Sequence, residues 1–525
     1  MRPLAIALLG GVLVAPCPAL ADVALMAGQQ AKPLQGRFNT VPVLHSNQPE
    51  EVHGPGILVT TTPGQSIAAE TGAPLANATY TFNGEFGIHV HHKYYPHDKS
   101  RMGSGGGRRG ELTLATLLIN PSSQPVHIRF EKGAVRNSFE APYQANNLMG
   151  VKPLGHRPWN TGPGDATAVQ MLRGKLDRKL ADEITIPAHS RVVLFSTQLP
   201  AKGIANGLLK GRSDGPFQMA VVAAEDPQSD ADLMAVLDQR RLAPGRVYLS
   251  RIRQIENGTV FSRVAGVAIG DEYTASLSHD LQQGALHVPL TSTNRHHFGT
   301  GEVQINPLAT RMVDSSLNNV GTYGVRFDVS MNLTGSGPHQ LVLSHPTVNG
   351  RGRFTAFRGS IRIETADGYQ EVHVGMKSGQ SLPIADLYLK PGQVNPVKVS
   401  LVYPADATPG HLLSVVPDQQ LAQLKERESM AEAAEAAEVA VKVAPPAAPD
   451  AVLTAPPVFE PVTIRRVAPA LVPPPQWVQP PPALPNLDGV SAAVISPTRM
   501  SESLMLRYQQ AVEAQQKMMN TLLGR

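Results

Sequence analysis

Two histidines one residue apart in an alternating apolar–polar run are a workable start for a metal site. Phe86-Gly87-Ile88-His89-Val90-His91-His92 has this form. On a strand successive side chains point to opposite faces, so His89 and His91 share one face and His92 takes the other. Such an imidazole pair suits zinc or copper. A divalent metal at His89 and His91 is therefore the one cofactor the residues suggest; no motif calls for another. His97-Asp98 follows closely, and His296-His297, distant in sequence, would add ligands if the fold brought them in. The competing reading is of hydrogen-bonded structural histidines, and spacing names no third ligand.

A second chemical pattern is weaker. Gly103-Ser104-Gly105-Gly106-Gly107-Arg108-Arg109-Gly110 invites a phosphate-loop reading. That loop needs Lys-Ser/Thr after its last glycine and a helix start behind it. Here Glu111-Leu112-Thr113 opens a strand, so the stretch reads as a hairpin tip or surface loop. There is no His-Glu-x-x-His and no calcium loop.

Strands must position these histidines. Residues 22–416 carry short apolar runs between turn signals, such as Leu112 to Ile119, Val126 to Phe130, Arg191 to Phe195, Tyr323 to Leu333 and Ser360 to Glu364. Several alternate with the period of a half-buried strand. Only Ser229 to Gln239 holds a helical period well. The fold class expected is mainly β: two β-sandwich-like antiparallel modules, residues 22–250 and 251–416. An Ala/Glu-rich helix follows over 417–443, read as a solvated spacer because alanine favours helix but offers little side chain to a core. Residues 444–499 form a Pro-rich linker of extended, semi-rigid character. Residues 500–525 predict a helix on which Leu504, Tyr508, Met518 and Leu522 form one narrow seam for docking to a partner.

The N-terminus and composition set the compartment. Arg2, the apolar run Leu4 to Val14 and Ala19-Leu20-Ala21 read as a cleavable signal peptide over residues 1–21. The run falls short of the roughly 20 apolar residues of a span. No transmembrane span is expected after cleavage. Cys17 is the only cysteine and would leave with the signal; Pro16 before it does not suit a lipobox. The mature chain would fold without disulfides, relying on its core. The net charge of +4, from 46 basic and 42 acidic residues, is small for 525 residues and does not indicate nucleic-acid binding.

A set of ordered strings resembles a cyanobacterial exported family known as domain of unknown function 3370. It begins with Pro33-Leu34-Gln35-Gly36 and Phe82-Asn83-Gly84-Glu85-Phe86. It continues through Gly162-Pro163-Gly164-Asp165, Leu172-Arg173-Gly174, Gly211-Arg212-Ser213 and Arg263-Val264-Ala265-Gly266. It ends at Phe357-Arg358-Gly359 and Tyr403-Pro404-Ala405-Asp406. The strings cover about residues 30–416. The resemblance implies an extracytoplasmic protein and transfers no catalytic residue. Gly162 to Asp165 fits a tight turn whose Asp accepts local amides. Arg173, Arg212, Arg263 and Arg358 stand at or near glycines, where arginine donors can brace loops. Asp165 and these arginines would alternatively line a polar cleft for an anionic glycan.

The leading expectation is an exported, non-catalytic envelope or surface protein of structural or binding type. It would reside in the periplasm, at the outer membrane or outside the cell. Its tail would engage a cell-wall or outer-membrane component or another envelope protein. The alternatives are a metal-binding protein or metal-dependent enzyme using the His cluster, and a glycan-binding or glycan-processing module.

Overall fold

The structure is a computed structural model, and it describes residues 23–26, 29–103, 109–144, 149–155, 160–258, 263–347, 354–405 and 407–443. The expected signal peptide, the expected Pro-rich linker and the expected C-terminal seam of Leu504, Tyr508, Met518 and Leu522 lie outside the described residues. So does the glycine tip 104–108; its flanks Met102 and Arg109 pair antiparallel.

The protein is mainly β, as the alternating runs predict. Leu112 to Ile119 lies within strand Glu111–Asn120, and Arg191 to Phe195 within Ser190–Pro200. Two sandwiches result. In the first, a large sheet runs in the order Glu183–Ile186, Val126–Asn137, Ile204–Ser213, Glu85–Tyr94, Pro42–Ser46, Ala265–Ile269, Asn306–Arg311 and Asn318–Asn319. A four-stranded sheet of Ser190–Pro200, Glu111–Asn120, Gln218–Ala224 and Gly56–Thr60 belongs to the same sandwich. Leu44, Ile88 and Val90 of the larger sheet share one buried cluster with Leu58, Leu114 and Val221 of the smaller.

The second sandwich pairs a seven-stranded sheet, with Arg326–Thr334, Asn395–Val402, Thr355–Thr365 and Gly368–Lys377 at its centre, with a four-stranded one. The latter runs Leu286–Leu290, His411–Pro417, Gly337–Ser344 and Ser381–Leu389. Phe327, Val329 and Val374 meet Leu341, Leu343, Leu413 and Val415 in its core.

Most pairings are antiparallel, but three are parallel: Pro42–Ser46 and Glu51–Val52 with Glu85–Tyr94, and Glu272–Asp280 with Arg326–Thr334. Both the cores and the sheets cross residue 250: Ala265, Val267 and Met312 belong to the first core and Leu34 to the second. Strands 265–269, 306–311 and 318–319 complete the first sandwich, while 37–38 and 150–153 join the second.

Two helices differ from the sequence expectation. Gly162 to Asp165 starts helix Pro163–Leu172 instead of making a turn. Pro163 stands at the first turn, where its missing N–H is harmless. Gly162 takes φ +96° with the Tyr143 ring lying where a Cβ would sit, so only glycine fits. Helix Asp418–Val443 begins as expected, yet its first turns are packed: Leu421 and Leu424 join Val23, Leu25, Leu412 and Val416 in a third apolar cluster. Helix Asp230–Asp238 appears where its periodicity placed it, closed by a Ser229/Asp232 capping box.

A fully buried ion pair ties the first sandwich to the loop after strand 306–311. Arg246 Nε donates to Asp314 Oδ2 at 2.6 Å and Nη2 to Oδ1 at 3.1 Å, while Nη1 donates to the Leu58 carbonyl at 3.0 Å. Removing one partner strands the other charge in the core. Asp314→Ala is expected to lower stability by about 3–5 kcal/mol in urea unfolding. A loss below about 1 kcal/mol would show that solvent reaches Arg246.

Candidate functional site

Strand Glu85–Tyr94 places His89 and His91 on the face away from the first core, and His92 beside Ile88 and Val90 on the core side. The neighbouring parallel strand puts His45 directly beside His89. Their Nδ1 atoms lie 3.1 Å apart and their rings meet edge-on, so one Nδ1 donates and the other accepts. The Nε2 atoms of both are buried without a partner.

His91 Nδ1 donates to Asn206 Oδ1 at 3.0 Å, and Asn206 Nδ2 donates to the Thr167 hydroxyl at 2.5 Å. Thr167 passes its proton back to the first turn of its own helix, where the Gly164 carbonyl lies at 2.9 Å. His92 is held separately, by the Ser46 hydroxyl at 2.8 Å and the Pro49 carbonyl at 2.7 Å.

Burial dominates the electrostatics. It lowers His45 to about 3 and takes His89 well below its ordinary value, with the neighbouring histidines adding to the effect on His89. His92 also falls to about 3 through burial, opposed by its bond to Pro49. All three imidazoles are therefore neutral at neutral pH, which is the protonation state a metal ligand needs. Of the two unengaged Nε2 atoms, on His45 and His89, the one on the ring whose Nδ1 accepts carries the proton, so a single lone pair is available from this pair. Among the described residues, no three His, Cys, Asp or Glu side chains stand together in ligating geometry.

The other expected ligands go elsewhere. His97 stacks on His53 at 4.4 Å, and Asp98 caps a short helical turn through the Ser100 amide. His296 approaches His345, not His89.

Helix Pro163–Leu172 lies against strands 126–137 and 204–213 of the first sandwich and 355–365 and 395–402 of the second. Its Asp165 accepts from the Ser360 hydroxyl and from His373 Nδ1, both at 3.0 Å on Oδ2. The partners of Asp165 thus come from the second sandwich and not from local amides. Serine and histidine share one carboxylate oxygen here, so this is not the serine–histidine–aspartate relay of a hydrolase.

Arg173, at the end of the same helix, donates to Glu371 from Nε at 2.8 Å and Nη2 at 2.6 Å. Arg358 stands on the same strand face as Ser360 and lies over the Tyr143 ring at 5.5 Å. Asp165, Arg173 and Arg358 thus converge on one sheet. Arg212 and Arg263 do not join them. Arg212 is exposed beside Glu85, and Arg263 is buried in an ion pair with Glu50, which also holds Lys93 at 2.5 Å.

Gly211-Arg212-Ser213-Asp214-Gly215 has the spacing of a nucleophile elbow, but that device is a strand-to-helix turn. Here it links two strands, and the Ser213 hydroxyl accepts the Gly84 amide at 3.1 Å.

The unfolded chain binds more protons than the folded one between the ordinary histidine value and the lowered ones. Stability is therefore complete above about pH 6.5 and falls as pH drops towards about 3, by on the order of 1 kcal/mol per pH unit for each such histidine. Urea midpoints at about pH 7.5 and about pH 5 should differ clearly in this direction. Equal midpoints would mean that these rings are not held neutral.

No curated protein matches the chain. Among solved structures, a mutant of Bacillus subtilis oxalate decarboxylase aligns at 9% identity over 68% of this chain and 78% of its own. The TM-score is 0.08, too low to indicate a common fold. The family model described as "Protein of unknown function (DUF3370)" matches residues 29–417, three quarters of the sequence and both sandwiches, and the chain belongs to that family.

Proposed function

We propose that this protein is an exported cell-envelope or surface component of structural or binding type, built as a β-rich body carried on a spacer. The observation that carries the reading is the packing at the start of the body. Val23 and Leu25, just beyond Ala19-Leu20-Ala21-Asp22, are buried against Leu421 and Leu424 of helix Asp418–Val443. Cleavage after Ala21 would leave this anchor intact and remove Cys17.

The polar residues support a structural role. Arg246, Arg263 and Arg173 are engaged with Asp314, Glu50 and Glu371, each joining segments far apart in sequence. Buried pairs of this kind fix loop geometry more than they add stability. The tail from 444 would then place the body relative to a cell-wall or outer-membrane component or another envelope protein.

Two measurements test this. N-terminal sequencing of protein recovered from a secretion-competent host should begin at Asp22. An uncleaved Met1 chain retained in the cytoplasm would overturn export. Deleting residues 444–525 should change localisation or oligomeric state while the body still folds. If neither changes, the tail is not an attachment device.

A further inference from the structure

A cavity of about 650 Å³ opens at one end of the four-stranded sheet of the first sandwich. Strand register sets part of its lining. Gln198 stands directly opposite Thr113, so both side chains share one face, while Leu112 and Leu114 turn to the core. Glu111 precedes Thr113 on the same face. The segment Asp226 to Gln228, which leads into helix Asp230–Asp238, and the pair Arg101 and Arg109 complete the lining.

Local contacts hold the arginines at this cavity. Met102 and Arg109 pair antiparallel, and the Gly110 amide donates to the Arg101 carbonyl at 2.8 Å. A Cβ at Gly110 would strike the Arg101 side chain, so glycine lets the two segments close. Arg101 pairs with Glu225, and its Nη2 donates to the Glu111 carbonyl at 3.4 Å. Arg109 Nε donates to the Ala201 carbonyl. Arg109 also lies over the Phe139 ring at 5.5 Å, so this ring, 48% exposed, stands beside the cavity.

The lining is polar and balanced in charge. The guanidiniums of Arg101 and Arg109 face the carboxylates of Glu111 and Asp226, beside the Thr113 hydroxyl and the Gln198 amide. An anion would meet the carboxylates and a cation the guanidiniums, so neither sign is favoured. Donors and acceptors instead stand side by side. That suits an uncharged ligand whose neighbouring hydroxyls each give one hydrogen bond and take another. An exposed aromatic ring next to them offers an apolar surface to the C–H face of a sugar ring. The volume lies within the range of about 300–1,000 Å³ of small-molecule sites. We propose that this cavity binds an uncharged oligosaccharide. Glu111 and Asp226 accept from its hydroxyls, Arg101, Thr113 and Gln198 donate to them, and Phe139 stacks on a ring at the mouth. The inference rests on the envelope-binding reading above, which gives a glycan ligand its setting. The site is separate from Asp165, Arg173 and Arg358, which are committed to contacts within the body.

The test titrates mature full-length protein by isothermal calorimetry with cellotetraose, maltotetraose, chitotetraose and, as an acidic counterpart, tetragalacturonate. At least one of the neutral sugars should bind with a Kd below about 1 mM, and tetragalacturonate more weakly. Gln198→Ala, Glu111→Gln and Phe139→Ala should each weaken that binding by about tenfold while urea midpoints stay unchanged. Tyr388→Ala, an exposed aromatic on the second sandwich, should bind as the wild type does. No binding of any neutral sugar overturns the site. So does tightest binding of tetragalacturonate, undiminished binding in folded Gln198→Ala and Glu111→Gln, or an equal loss in Tyr388→Ala. Export is read separately by N-terminal sequencing: an exported chain that binds no neutral sugar overturns the site alone, and an uncleaved cytoplasmic chain that binds one overturns the envelope reading alone.

Discussion

A carboxylate between two sheets is destabilising unless donors reach it from the surrounding structure. Asp165 obtains them from Ser360 and His373, on two adjacent strands of the second sandwich. Two residues along the same helix, Thr167 turns to the first sandwich and meets Asn206, which holds His91. The helix therefore carries polar contacts to both sides, while Ala168, Met171 and Leu172 supply apolar ones with Leu208 and Val402. Hydrogen bonds are directional where apolar contacts are not. Those of Asp165 and Thr167 specify where the helix sits along each sheet, and Arg173 with Glu371 adds a third fixed point.

Histidine in this protein is mainly an interior residue. His45, His89, His92, His345 and His411 are all almost fully buried. The rings of His45, His89, His345 and His411, with those of Tyr323 and Tyr403, form a series with neighbouring centroids 5.1 to 6.4 Å apart. A neutral imidazole has one donor and one acceptor, and His92 and His287 have both nitrogens engaged. Among the described residues, unpartnered imidazole nitrogens occur on His45 and His89, on His296, His345 and His411, and on His373 beside Asp165. An orphaned buried nitrogen is destabilising on its own, by about 1–3 kcal/mol.

Much of the fold was legible because strands announce themselves locally. The alternation in Leu112 to Ile119 and Phe86 to His92 gave both the strands and the face of each histidine. His45 carries no such signal, since Val43-Leu44-His45-Ser46 runs apolar, apolar, polar, polar and does not alternate. Helix Pro163–Leu172 was hidden because two glycines and a proline at its start carry the composition of a turn. The convergence of Asp165 with His373, 208 residues away, and of His345 with His411, depends on strand order. Strand order is decided by non-local pairing, and no local spacing encodes it. The arginines at glycines carry no local sign of their partners: Arg173, at the end of helix Pro163–Leu172, pairs with Glu371, and Arg263, just before strand 265–269, pairs with Glu50.

The two ends of the folded body meet. Val23 and Leu25 pack against Leu421 and Leu424, and Gln420 Nε2 donates to the Leu25 carbonyl at 3.1 Å. A spacer sets a distance only if its root is fixed. An Ala/Glu-rich helix offers little apolar area with which to fix itself, so the leucines of its first turns are what fasten it. They do so partly on residues that lie immediately beyond the expected cleavage point. Trimming the chain by a few residues past Asp22 would uncover Leu421 and Leu424 and loosen the helix at its base. On the proposed reading, the position of cleavage and the base of the helix are coupled through one small apolar cluster, although Leu25 and Gln420 lie 395 residues apart in sequence.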